Sequence, residues 1–136
     1  MNCIFCDIVN RLENAEILYE DNETMAFLDI RPFNHGHSLV IPKNHYSNFL
    51  EVSNEDLSAM MKLVQKLANS VKTSLNADGY NILSNNGIAA GQTIFHCHFH
   101  IIPRFNSDGF KFKMNLKEYE ENEMREIAFK IKENLK

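Results

Sequence analysis

The stretch IFHCHFHIIPR at residues 94–104 places His96, His98 and His100 at every second position, with Cys97 and Phe99 between them. Only an extended backbone turns that spacing into a common face, because successive side chains on a β-strand point to opposite sides. On a helix the three imidazoles would spread over about 400° of arc and share no site. The aromatic and β-branched neighbours favour the strand as well. The pattern therefore predicts a strand with His96, His98 and His100 on one side and Cys97, Phe99 and Ile101 on the other. The imidazoles would repeat every ~6.6 Å along it. A single Zn²⁺ needs nitrogens at about 2.0–2.1 Å in a tetrahedral array, and three successive same-face strand residues supply that poorly. A nucleophile with supporting neighbours fits better. Neutral imidazole attacks through one ring nitrogen when its other N–H is held, while flanking imidazoles orient it, bind anionic oxygens or deliver a proton.

The rest of the chain supplies partners for that strand. AEILYE and TMAFLDI flank the polar group DNE at 21–23, which predicts two strands joined by a tight turn. Leu39, Val40 and Ile41 lie between Gly36 and Pro42 and predict a third strand bounded by breakers. From Leu57 through Met61, Val64, Ala68 and Val71 to Leu75 the apolar residues step by four and three, which predicts a helix over about 54–75. Ser53 is its expected N-cap, with Glu55 and Asp56 in the first turn. GYNILSNN reads as a fourth strand, and the small-residue loop NNGIAAGQT joins it to the histidine segment. Such a loop suits a backbone held close to a ligand, and equally a plain hairpin connection. In the charged tail, Met124, Ile127, Ile131 and Leu135 predict an exposed C-terminal helix over about 116–135. The expected fold is a single α+β domain over residues 1–136, with a mainly antiparallel sheet of about five strands and helices against one face.

Composition narrows the function classes. Fourteen Lys and Arg against 18 Asp and Glu give a net charge of −4, which argues against nucleic-acid or anionic-membrane binding driven by net charge. No basic-plus-apolar leader or apolar run of about 18 residues is evident, so a cytoplasmic protein with no membrane partner is expected. Three cysteines do not make a disulfide framework. Cys3-x-x-Cys6 has metal-ligand spacing, and His45 with one histidine of the 96–100 segment would close a Cys₂His₂ site. Two buried thiols are an equal alternative by spacing alone, and a redox pair a weaker one.

HCHFHII resembles the His-x-His-x-His-x-x signature of the histidine triad (HIT) nucleotide hydrolases and transferases. FLDIRPFNHGHSLVIPKNH at 27–45 resembles that family's second segment, and CIFCDIV the N-terminus of its zinc-containing bacterial-type members. With SNNGIAAGQT before the triad and IIPRFNSDGF after it, the resemblance covers about residues 3–110.

The resemblance implies cleavage at the α-phosphate of a purine nucleotide conjugate by double displacement. His98 matches the nucleophile, which forms a nucleotidyl-histidine that water then hydrolyses. His100, Gln92, Thr93 and loop N–H groups would stabilise charge on the phosphoryl oxygens. His37 matches a further active-site histidine, Asp29 the ribose-holding position and Asn85 a position near the phosphate. Ile30 and Ile8 are the expected walls for the base. Cys3, Cys6, His45 and His96 map onto the ligands of a structural zinc with no open position.

The implied substrates are an adenosine phosphoramidate or a diadenosine polyphosphate, with IIPRFNSDGF closer to the polyphosphate branch, and AMP is the implied product. A homodimer is also implied. His35 fits no family position, Cys97 occupies a slot usually aliphatic, and Arg31 and Arg104 are candidates for distal phosphates. Two rival readings are a catalytically weak nucleotide-binding scaffold and a hydrolase whose triad holds a catalytic metal.

Overall fold

The computed structural model describes residues 2–135. Helix α1 spans Ile4–Val9, and strands β1 (Ile17–Glu20) and β2 (Thr24–Leu28) follow as a hairpin. Its turn is closed by Asp21, whose Oδ1 accepts from the N–H groups of Glu23 and Thr24 at 2.8 and 2.7 Å. Strand β3 is Ser38–Pro42, α2 is Asn54–Ser74, β4 is Gly79–Leu83, β5 is Phe99–Arg104 and α3 is Glu123–Asn134. The five strands form one sheet in the order β1-β2-β3-β5-β4, antiparallel at every pairing. This is the expected α+β fold.

Alternation along the strands divides the core in two. Ala26, Val40, Cys97 and Ile101 face α2 and pack with its Met60, Leu63, Val64, Leu67, Ala68 and Val71. Each Val, Leu, Ile or Met among them contributes roughly 1.5–3 kcal/mol on burial. Helix α2 begins where expected, with Ser53 Oγ accepting from Asp56 N–H at 3.1 Å. Met25, Phe27, Leu39 and Ile41 point the other way and meet Cys3, Phe5 and Ile8. Helix α1, which the sequence reading left unassigned, thus covers part of the second face, so helices do not lie on one face alone.

Two expectations are corrected. The histidine segment enters the sheet only at Phe99: β5 pairs with β3 from Val40↔Phe99 onward, while His96 lies in a bend and His98 just before the strand. Cys97 N–H bonds to Tyr46 O at 2.7 Å, outside the ladder. Alternation survives this departure, since Cys97 and Ile101 are both in the α2 core. The C-terminal helix starts at Glu123 and not near Leu116. Asn122 at φ +67° interrupts the chain there, and the period-defining apolar residues from Met124 onward all lie after it.

Gly36 sets the entry to β3. It has φ +98°, a left-handed conformation that favours glycine; a Cβ there would also displace the Leu75 side chain, whose Cδ1 lies 2.2 Å away. The next residue is His37.

Candidate functional site

One cleft of about 500 Å³, open between α1, the loop after β2 and the loop before β5, has His37, His98 and His100 in its wall. That volume suits a small ligand. Ile8, Asp29 and Ile30 line one side, and Asn85, Gln92 and Thr93 another. The nine residues expected at the catalytic and nucleoside-phosphate positions therefore border a single space. Ile30 is 84% exposed at its mouth, whereas His98 is 7% exposed and His37 1%. His35 is exposed and outside this lining.

Hydrogen-bond partners assign the ring protons. His98 Nδ1 lies 2.7 Å from His96 O; a carbonyl only accepts, so Nδ1 carries the hydrogen and Nε2 keeps its lone pair. Phe33 N–H donates to His37 Nδ1 at 3.2 Å, which puts the single hydrogen of a neutral His37 on Nε2. That Nε2–H faces His100 Nδ1 at 2.9 Å, so His100 carries its hydrogen on Nε2. The site thus holds one basic ring nitrogen, on His98, beside one N–H donor, on His100, with ring centroids 4.9 Å apart.

Burial keeps these rings neutral. It pushes His100 down to about 4, helped by the neighbouring His98 and His37. Burial also lowers His98, against the raising influence of its bond to His96 O and of Asp29, and lowers His37 against the same carboxylate. Asp29 Oδ1 accepts from Arg31 N–H at 2.8 Å, and Oδ2 stands 3.6 Å from His37 Nε2.

Two expected contacts are revised. Gln92 is 5% exposed; its Nε2 donates to Ser47 O at 2.7 Å and Ile94 O at 3.1 Å, and its Oε1 accepts from Gly87 N–H at 2.9 Å. Both amide hydrogens hold the loop, so Gln92 shapes the cleft instead of reaching into it. Arg104 is bound through Nε and Nη2 to Asp108 at 2.8 and 3.1 Å and through Nη1 to Asn81 Oδ1 at 2.8 Å. It is outside the cleft lining, where Arg31 is the lone Lys or Arg among the described residues. Phe33, also in that lining, was missed; an aromatic residue between Pro32 and the Gly36-His37 turn was the available signal.

Behind the cleft, Cys3, Cys6, His45 and His96 bring one donor atom each to within 4.8 Å of one another. His96 Nε2–H donates to Pro42 O at 2.8 Å, which leaves its Nδ1 lone pair toward the group. From that Nδ1, Cys3 Sγ is at 3.4 Å, Cys6 Sγ at 3.6 Å and His45 Nδ1 at 3.2 Å. Tetrahedral zinc with Zn–N near 2.0–2.1 Å and Zn–S near 2.3 Å requires edges of roughly 3.3–3.8 Å. The donor set fits that ion in type, number and spacing. Burial raises the Cys6 thiol to about 11 and His96 is lowered to about 4; a bound cation favours thiolate and unprotonated imidazole. The other close grouping, Asp29, His37 and His100, has its two facing ring nitrogens joined by a proton.

Comparison with known proteins identifies a family and a shared fold. Residues 10–107 match the model of the HIT domain. An adenylylsulfatase of Arabidopsis thaliana is 43% identical over 107 residues, covering 79% of this chain and 54% of that protein. A HIT-family structure from Bacillus subtilis superposes with TM-score 0.93 at 37% identity, over 100% of this chain and 99% of that one. A zinc-bound histidine triad family protein from Mycobacterium smegmatis superposes with TM-score 0.77 at 38% identity, over 98% of each chain. No helix among the described residues is long and apolar enough to cross a membrane.

Proposed function

The chain belongs to the HIT family of nucleotide-binding hydrolases and transferases, and on that premise we propose that it hydrolyses the bond between an adenylyl group and a leaving group through a covalent His98 intermediate. The observation that carries this reading is the pairing of opposite ring-nitrogen states in one cleft: a lone pair on His98 Nε2 beside an N–H on His100 Nε2. His98 Nε2 attacks the α-phosphorus, a P–N bond forms, and the bond to the leaving group breaks. His100 Nε2–H donates to the oxygen that gains charge or to the departing atom. Water then attacks the same phosphorus, the P–N bond breaks, AMP leaves, and the water's second proton restores the donor. Each turnover consumes one water and yields AMP and the protonated leaving group.

Asp29 Oδ2 takes the ribose hydroxyls and Ile8 and Ile30 enclose the purine. Asn85 and Thr93 flank the phosphate, and Gln92 holds the loop that presents backbone N–H groups to it. Zinc, when bound by Cys3, Cys6, His45 and His96, supplies structural cross-linking and no open coordination position. It would fasten α1, which roofs the cleft, to the segment that carries His98.

The leaving group is a phosphoramidate amine, a second nucleotide's phosphates, or a comparably compact anion. Arg31 as the single Lys or Arg in the lining among the described residues favours a compact leaving group over a polyphosphate, as does a relative named for adenylyl sulfate cleavage. Incubation with adenosine phosphoramidate and, separately, diadenosine tetraphosphate, beside His98→Ala, tests the reading. AMP and an adenylylated protein are expected from the unmodified chain alone. AMP binding without turnover of any adenylyl conjugate would replace the hydrolase with a nucleotide-binding scaffold. A second copy would pair through an exposed surface such as edge strand β4, where Tyr80 and Ile82 are each 44% exposed; light scattering reads that state.

A further inference from the structure

The loop 105–110 is built as a brace. Asp108 Oδ2 accepts from Arg104 Nε at 2.8 Å, Phe105 N–H at 3.0 Å and Asn34 Nδ2 at 3.0 Å; Oδ1 accepts from Phe110 N–H at 3.1 Å. Asn34 also donates to Pro103 O at 2.8 Å, tying the segment before His37 to the end of β5. The Arg104 guanidinium lies 4.4 Å from the centroid of the Phe110 ring and bonds to Phe110 O. Phe110 stacks on Phe33 with centroids 4.9 Å apart and planes at 28°. Phe33 in turn stacks on His37 at 5.5 Å with planes 12° apart. A continuous pile therefore runs from Arg104 through two phenyl rings to the His37 imidazole.

This pile has no evident role in the core. Phe33 is 58% exposed and belongs to neither buried cluster, so hydrophobic burial does not account for its position. Its consequence is local: the ring of Phe33 fixes the residue whose N–H enters His37 Nδ1. That bond requires a lone pair on Nδ1, and so requires the hydrogen on Nε2. The same hydrogen decides the tautomer of His100.

We propose that Phe33, braced by Phe110, Arg104 and Asp108, is a positioning residue that holds His37 in its Nε2–H form and thereby keeps an N–H on His100 Nε2 facing the cleft. Without the brace, His37 gains access to the Nδ1–H form, whose Nε2 lone pair would confront the acceptor on His100. His100 would then shift its hydrogen to Nδ1 and present a lone pair to the substrate's oxygens. The inference rests on the proposed hydrolase reading only for what the His100 donor does; the tautomer relay is a property of the free protein.

The test uses full-length protein labelled with ¹⁵N in histidine, where nitrogen shifts distinguish protonated from bare ring positions without substrate. Expected in the unmodified chain are Nε2–H forms of His37 and His100 and the Nδ1–H form of His98. Phe33→Ala is expected to retain its circular dichroism and to give a mixed His37 tautomer. Its kcat for AMP release should fall about tenfold to a hundredfold, as for a displaced acid–base group, with KM changing less than threefold. Phe33→Tyr should restore both readouts. Phe110→Leu, which removes the supporting ring, should reproduce the Phe33→Ala pattern more weakly and replaces it if that variant does not fold. An unchanged His37 tautomer in both variants overturns the inference, and so does a rise in KM at constant kcat, which would make Phe33 a wall for the base. Absence of AMP release from the unmodified protein overturns the hydrolase reading instead, and leaves the tautomer arm to decide this one.

Discussion

His96 and His98 are two residues apart, both buried and both neutral, yet they face opposite tasks because of where the second ring nitrogen is tied. His96 gives its Nε2–H to Pro42 O and turns a bare Nδ1 into the Cys3, Cys6 and His45 cluster. His98 gives its Nδ1–H to His96 O and leaves a bare Nε2 for the cleft. A backbone carbonyl selects the tautomer in each case, and the tautomer decides whether the bare nitrogen meets the Cys/His cluster or the cleft. The lesson is that residue type and burial do not assign a histidine's chemistry; the partner of its other nitrogen does.

The largest separation of the two regions is expected from His98→Ala. AMP release should fall by ~10³ or more, while zinc content by metal analysis and the unfolding midpoint stay close to those of the unmodified chain. Loss of the metal together with the activity would mean that the two regions are one unit. The reverse experiment, Cys6→Ser or prolonged chelation, should lower the melting temperature by ~10 °C or more, with activity lost in step with circular dichroism. Activity lost from chelated protein whose spectrum is unchanged would make the metal catalytic. A smaller effect is expected from Gln92→Ala, which frees the loop from three hydrogen bonds. KM for an adenylyl substrate should rise several-fold with little change in metal content.

Acid should act on the cleft through its neutral rings. His100 titrates at about 4 when folded, below the ordinary 6.5, so the unfolded chain binds more protons in that interval. Its contribution to stability is full above pH 6.5 and is lost as pH falls through the interval to about 4. A denaturant midpoint that declines from pH 7 to pH 4 checks the sign, and His100→Gln should flatten the slope. An identical slope in that variant would assign the acid sensitivity to other groups.

Much of this was legible locally. Period two in 94–104 sorted Cys97 and Ile101 to the α2 side, period 3.6 located α2, and Ser53 marked its start. The cluster of Cys3, Cys6, His45 and His96 was readable only as a resemblance, because spacing left two thiols in a core as good an account. The tail shows the limit of periodicity: apolar spacing identified α3 but not its first residue, which Asn122 at φ +67° sets. Helix α1 was not assigned because its six residues are too few to establish a period. The resemblance makes Gln92 a phosphate contact, and Arg104 is a candidate for distal phosphates or a plain surface charge; that Ser47 and Asp108 already engage them is invisible along the chain.

The sequence by itself determined which side chains share a face, since the pleat and the helical turn are properties of neighbouring residues. Tertiary structure alone decided the ring protons and brought the Cys3, Cys6, His45 and His96 donors to within 4.8 Å of one another. The reason is distance along the chain: His37 meets His100 across 63 positions and Cys3 meets His96 across 93. Such contacts exist only once β3 has paired with β5 and α1 has packed on the sheet beside the segment before β5.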